Sequence, residues 1–164
     1  MILSAALLIY AALHDIAVRT VPNWLPLCLL VLGCGMRLAD HSLAAGAAVA
    51  LITFAVLFGA WLGGVMGGGD VKLWAATALL MPPLWRPELS FLFRVLLFGG
   101  ALAIFYLLLR RLVPRTLAAR RPGLLRRVIR VEAWRIGRRA PLPYACAIAA
   151  GALATLWPFS LSVR

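Results

Sequence analysis

Six apolar stretches follow one another along this chain, at approximately residues 1–18, 24–38, 43–62, 71–84, 89–109 and 141–159. A helix needs about 20 apolar residues to cross hydrocarbon upright, within a range near 17–25. With 64% hydrophobic residues in 164, the chain has more apolar surface than a soluble domain of this size hides. The predicted fold is therefore all-α: a polytopic transmembrane helical bundle of about six spans, forming one integral-membrane domain over 1–164. The second and fourth stretches are short, and would borrow interfacial residues or thin the bilayer locally. The fourth is the weakest span.

The breaks between stretches have local causes. Thr20-Val21-Pro22-Asn23 separates the first two, and Pro22 suits the opening turn of a helix, where its missing N–H does no harm. Gly63-Gly64 and Gly67-Gly68-Gly69 separate the third and fourth. Pro82-Pro83 and Pro87 are expected to close the fourth, since proline removes a donor and clashes inside a helix. The opening stretch lacks a basic start and a small-residue cleavage site, so it reads as a retained span. Cys28, Cys34 and Cys146 form no CxxC pair and read as quiet apolar thiols, without a metal site or a disulfide framework.

Net charge is +12, yet 11 of the 17 basic residues fall between Arg110 and Arg139. That concentration points to a cytoplasmic loop facing anionic lipid and not to nucleic acid. Within 110–140 the arginines alternate with Leu124, Leu125, Val128, Ile129 and Trp134, so a basic amphipathic interfacial segment is expected there. With six spans, loops one, three and five share a side. They carry or border Arg19, Lys72 and the arginine cluster, whereas loops two and four offer Arg37 and Arg86. The positive-inside rule places the odd loops in the cytoplasm.

Only five residues are acidic, and two of them, Asp15 and Asp70, lie at the ends of apolar stretches on that same side. A carboxylate near hydrocarbon costs several kcal/mol, about 2.5–3.5 on insertion scales, so one there usually has a role. Taken singly, Asp15 would pair with Arg19 four residues on, and Asp70 would cap a helix. Neither account explains the glycines of Gly67-Gly68-Gly69, which allow close approach of another chain. Asp40-His41 reads as a solvated outer turn, Glu88 lies near the proline-rich fourth loop, and Glu132 is one acid among many arginines. His14 adjoins Asp15, but a neighbouring helical residue points about 100° away.

Together these residues resemble a known family. Asp15, Arg19 and Pro22-Asn23, then GxGD with Val-Lys-Leu over Gly67 to Leu73, then Pro141-Leu142-Pro143-Tyr144, look like the type IV prepilin peptidases. These are membrane aspartic proteases of the GxGD kind. The resemblance implies that Asp15 and Asp70 form a catalytic dyad. It gives Gly67, Gly68, Gly69, Arg19, Asn23, Lys72, Pro143 and Tyr144 supporting or substrate-binding roles. No cofactor or metal is implied. The larger relatives carry an N-terminal insertion with paired CxxC motifs and methyltransferase activity; this chain has neither the insertion nor those cysteines, so the resemblance does not extend to methylation, and its layout resembles the compact peptidase-only forms.

The resemblance implies an enzyme of the bacterial inner membrane with its site at the cytoplasmic face. It would cleave the basic leader of a prepilin or pseudopilin, of the Flp type, ahead of an apolar helix. Further expected partners are anionic lipids at the arginine-rich loop. Two alternatives stand beside it: a small proton-coupled transporter, since intramembrane aspartates also serve ion pathways, and a non-enzymatic pilus or secretion assembly protein. A signal-peptide-peptidase type of GxGD protease would have more spans and a Tyr-Asp in place of His14-Asp15.

Overall fold

The computed structural model describes residues 2–112 and 142–161. Among them are six helices and no strand: α1 (Ile2–Val18), α2 (Trp24–Ala39), α3 (Leu43–Leu62), α4 (Gly68–Ala78), α5 (Trp85–Leu112) and α6 (Tyr144–Leu161). Their order and bounds follow the apolar stretches closely. The expected amphipathic segment over 110–140 falls almost wholly outside the described residues.

Two helices are long and apolar enough to cross a membrane: α3, with 20 residues, and Trp85–Leu109 of α5, with 25. At 1.5 Å per residue they span about 30 and 37 Å, enough for the hydrocarbon layer. Their surroundings support the same reading. Along α3 only Gly46 and Leu57 are buried, while Leu51 and Val56 are each 68% exposed. A helix apolar on every face and exposed on most of them is stable against lipid, not water.

The shortest helix occupies the middle. With 11 residues α4 is about 16 Å long, half a hydrocarbon thickness, yet it packs against α2, α3 and α6. From Val71 to Leu80 every residue except Lys72 is buried. Apolarity continues to Leu84 in the sequence, but the helix ends at Ala78. It tightens through bonds from Leu80 N–H to the Thr77 carbonyl and from Met81 N–H to the Ala78 carbonyl, each 3.0 Å, before Pro82-Pro83. Pro87 does not close this element as expected. It lies in the first turn of α5, where a missing N–H removes no helical bond.

The end of the bundle away from Asp15 and Asp70 is held by Arg37, which is buried in the last turn of α2 and is not the loop charge expected. It pairs with Asp40 at 3.2 Å and donates to Ser42 Oγ at 3.4 Å and to the Leu80 carbonyl at 3.5 Å. Asp40 is thus tied to the bundle, although its own side chain is mostly exposed. Arg94, within α5, donates to the Ala154 carbonyl of α6. Pro158 has no N–H to offer that carbonyl from four residues on, so the arginine replaces the helical bond that the sequence forfeits.

Candidate active site

Asp15 and Asp70 come from opposite helix ends, one near the close of α1 and the other in the first turn of α4. Both helices pack on α2 and α6, and the two carboxylates line one cavity of about 340 Å³. Arg19, Thr20, Val21 and Asn23 from the first loop, Gly67 and Gly69 at the start of α4, and Leu142 ahead of α6 complete its wall. Segments preceding α2, α4 and α6 therefore meet at one place. The two carboxylates lie within electrostatic reach of each other.

Each aspartate faces the backbone at a helix start. Asp70 is the third residue of α4, and its side chain turns back toward the backbone of Gly67 at the N-cap. That is the placement of the acidic half of a capping box, so the expected N-cap position is displaced by three residues. A Cβ on Gly67 would stand 3.1 Å from Asp70 Oδ2. Asp15, 5% exposed, accepts the N–H of Ala145 at 3.1 Å. Ala145 is the second residue of α6, whose first-turn N–H groups have no helical acceptor and carry partial positive charge. Near the C-terminal end of α1 a carboxylate meets the wrong end of its own helix dipole; α6 supplies the opposite end.

The other expected residues divide. Arg19 has φ +62°, a left-handed backbone uncommon outside glycine. Its guanidinium donates to the Tyr106 hydroxyl at 3.1 Å and lies 5.4 Å from that ring's centre. Asn23 Oδ1 accepts from Lys72 Nζ at 3.2 Å, which joins the first loop to α4. Gly69 also lets the first loop come close: a Cβ there would meet Val21 Cβ at 3.3 Å. Gly68 turns away from the cavity, toward the indole of Trp61. Pro143 is buried ahead of α6, and Tyr144 packs on Gly99 of α5, so this pair positions α6 and does not line the cavity. His14 lies outside the wall; its Nδ1 bonds the Thr20 carbonyl at 2.8 Å.

Sequence reasoning missed Tyr106, the Ala145 N–H and Val21. Their contacts with the site bridge 87, 130 and 48 residues respectively, taking Arg19, Asp15 and Gly69 as partners. No local periodicity signals such pairs. Tyr106 alone left a trace, a hydroxyl in the apolar run that follows Arg94.

Among the described residues all regular structure is helical, two helices are fit for a membrane and two carboxylates converge at one end, which is the class of membrane proteins with an ionisable site. A model of the type IV leader peptidase family matches residues 2–108, covering α1 to α4, most of α5 and both aspartates. The chain belongs to that family, and the family is one of membrane peptidases. No curated protein and no solved structure matches it.

Proposed function

We propose that this protein is a prepilin leader peptidase of the aspartic kind, with Asp15 and Asp70 as its catalytic dyad. The observation that carries the proposal is the meeting of the two carboxylates at one cavity, each against the N-terminal turn of a helix. Family membership supplies the peptidase activity, and the cavity offers the only convergent acids among the described residues lining it.

In this mechanism two neighbouring carboxylates share one proton, because both do not readily ionise side by side. The ionised member takes a proton from water as the water oxygen bonds to the scissile carbonyl carbon. The protonated member gives its proton to the carbonyl oxygen. As the resulting tetrahedral centre collapses, the C–N bond breaks and the nitrogen leaves with a proton as the amine. Arg19, on the cavity wall, contributes positive charge beside the anionic steps.

The bundle would lie across a bacterial inner membrane in about six crossings, with the short α4 enclosed by its neighbours. The dyad end would face the cytoplasm, since Arg19, Lys72 and the 11 arginines between Arg110 and Arg139 belong to that end of the chain's topology. A substrate with a cytoplasmic basic leader and a membrane-embedded apolar helix, such as an Flp-type prepilin, presents its junction at that level. The arginine-rich segment would repel a basic leader, and anionic lipid beneath it neutralises that charge.

The test is co-expression with candidate prepilins and mass measurement of their N-termini. Loss of a leader-sized mass in the presence of the protein is the expected result. Unprocessed precursors at normal enzyme levels would return the reading to a non-enzymatic assembly role.

A further inference from the structure

A second and larger cavity, of about 590 Å³, opens beside the first, between α2, α3 and α4. Its walls are built with helical regularity. From α3 come Ala47, Ala50, Leu51 and Phe54, and from α4 and its C-cap Lys72, Ala75, Ala76 and Leu79. Each set follows the i, i+3, i+4, i+7 spacing of one helix face. On α2 the same spacing places Asn23, Pro26, Leu27 and Leu30 along the groove, with Cys34 one turn beyond. From Lys72 to Leu79 the floor runs about 10 Å, close to two helical turns.

Two features distinguish this groove from an ordinary lipid-facing crevice. Asn23 lines both this groove and the cavity holding Asp15 and Asp70, so the two lie side by side with this residue at their junction. The polar groups of the groove gather at that junction: Lys72 donates to Asn23 at 3.2 Å, and Lys72 is the one exposed residue between Val71 and Leu80. The rest of the lining is apolar apart from the weakly polar Cys34 thiol. A peptide leaving a helix at the junction exposes backbone groups that hydrocarbon does not satisfy. Polar side chains are needed at that point and nowhere deeper.

We infer that this groove seats the apolar helix that follows the scissile bond of the substrate, with Lys72 and Asn23 meeting the backbone where the helix unwinds toward the aspartates. Small residues on α3 and α4 let a guest helix approach closely, as small side chains do between helices in membranes. The mode is helix-in-groove recognition, which selects apolar length and shape more than sequence. This inference rests on the peptidase reading.

The test uses the full-length protein in bilayer discs, with a precursor made of a basic leader and a roughly 20-residue Leu/Ala helix. A shorter peptide has the same junction without the helix. Ala50→Trp fills the groove; Ala55→Trp adds equal bulk to an exposed face of α3 outside both cavities. The preference for precursor over peptide, as the ratio of kcat/KM values, should fall at least tenfold in Ala50→Trp and stay at the wild-type ratio in Ala55→Trp. A photoreactive side chain at Leu51, in an Asp70→Asn background, should capture the helix of the precursor.

An unchanged ratio in Ala50→Trp, with capture of lipid alone, overturns the inference and leaves the peptidase standing. Capture of the helix by a protein that cleaves neither substrate keeps the groove and removes the peptidase. Neither cleavage nor capture removes both.

Discussion

The backbone N–H of Ala145 donates to Oδ2 of Asp15 at 3.1 Å, joining the start of α6 to the end of α1. A buried carboxylate is thereby fixed in direction by a helix that follows it by 130 residues. Ala145→Pro deletes this donor while remaining compatible with a first helical turn. A hydrogen bond to a charged group contributes about 1.5–3 kcal/mol, so precursor cleavage should fall by roughly ten- to a hundredfold. Initial rates normalised to membrane level check this, with Ala145→Gly, which keeps the N–H, as the milder variant.

Arg19 depends on Tyr106 in two ways, through the hydroxyl at 3.1 Å and through the ring at 5.4 Å from its guanidinium carbon. Tyr106→Phe keeps the ring and removes the acceptor, and should cost about fivefold in kcat/KM, in line with one modest hydrogen bond. Tyr106→Ala removes both contacts and should cost more. In an Arg19→Ala background neither change should matter further, because the pair acts as a unit. Kinetics on the wild type, the three single variants and the two double variants measure the coupling.

These two contacts also mark the boundary of what the sequence discloses. Asp15 and Asp70 stand out because acids are so few in an apolar chain, and helices that alternate in direction put them at one end of the bundle, where one cavity holds both. Helix order followed from alternating apolar runs and breakers. The end of α4 did not: its last apolar residues form a buried turn instead of more helix, and burial makes both look alike. Pro87 likewise fits the close of one helix or the opening of the next, and the packing of α5 decides. Tyr106, Val21 and the Ala145 N–H act across dozens of residues, a relation fixed by packing alone.

Gly69 sits where a Cβ would come within 3.3 Å of Val21 Cβ. Gly69→Ala should therefore push the first loop, with Arg19 and Asn23, away from α4, and reduce cleavage at near-normal protein levels. Gly69→Val should abolish it. Because the nearest obstacle is Val21 Cβ itself, Val21→Gly should restore much of the activity of Gly69→Ala but little of Gly69→Val, whereas Val21→Ala, which keeps that atom, should restore little of either. Precursor processing in the single and double variants checks the relief.

Sidedness can be read by labelling. After replacement of Cys28, Cys34 and Cys146, single cysteines at Asp40 or Arg86 should react with a membrane-impermeant maleimide added outside intact cells. Cysteines placed between Arg115 and Arg139 should react only after lysis. The reverse pattern would put the aspartates on the outer side and separate them from a cytoplasmic leader.

The most direct measurement is the N-terminal mass of a co-expressed prepilin with the wild-type protein, Asp15→Asn, Asp70→Asn and the double variant. Asparagine preserves size and removes the shared proton and the charge. Two carboxylates working as one unit predict leader removal by the wild type alone, with each single variant as inactive as the double. All four proteins should accumulate in the membrane to similar levels. Continued processing by either single variant at a rate near wild type would contradict the dyad.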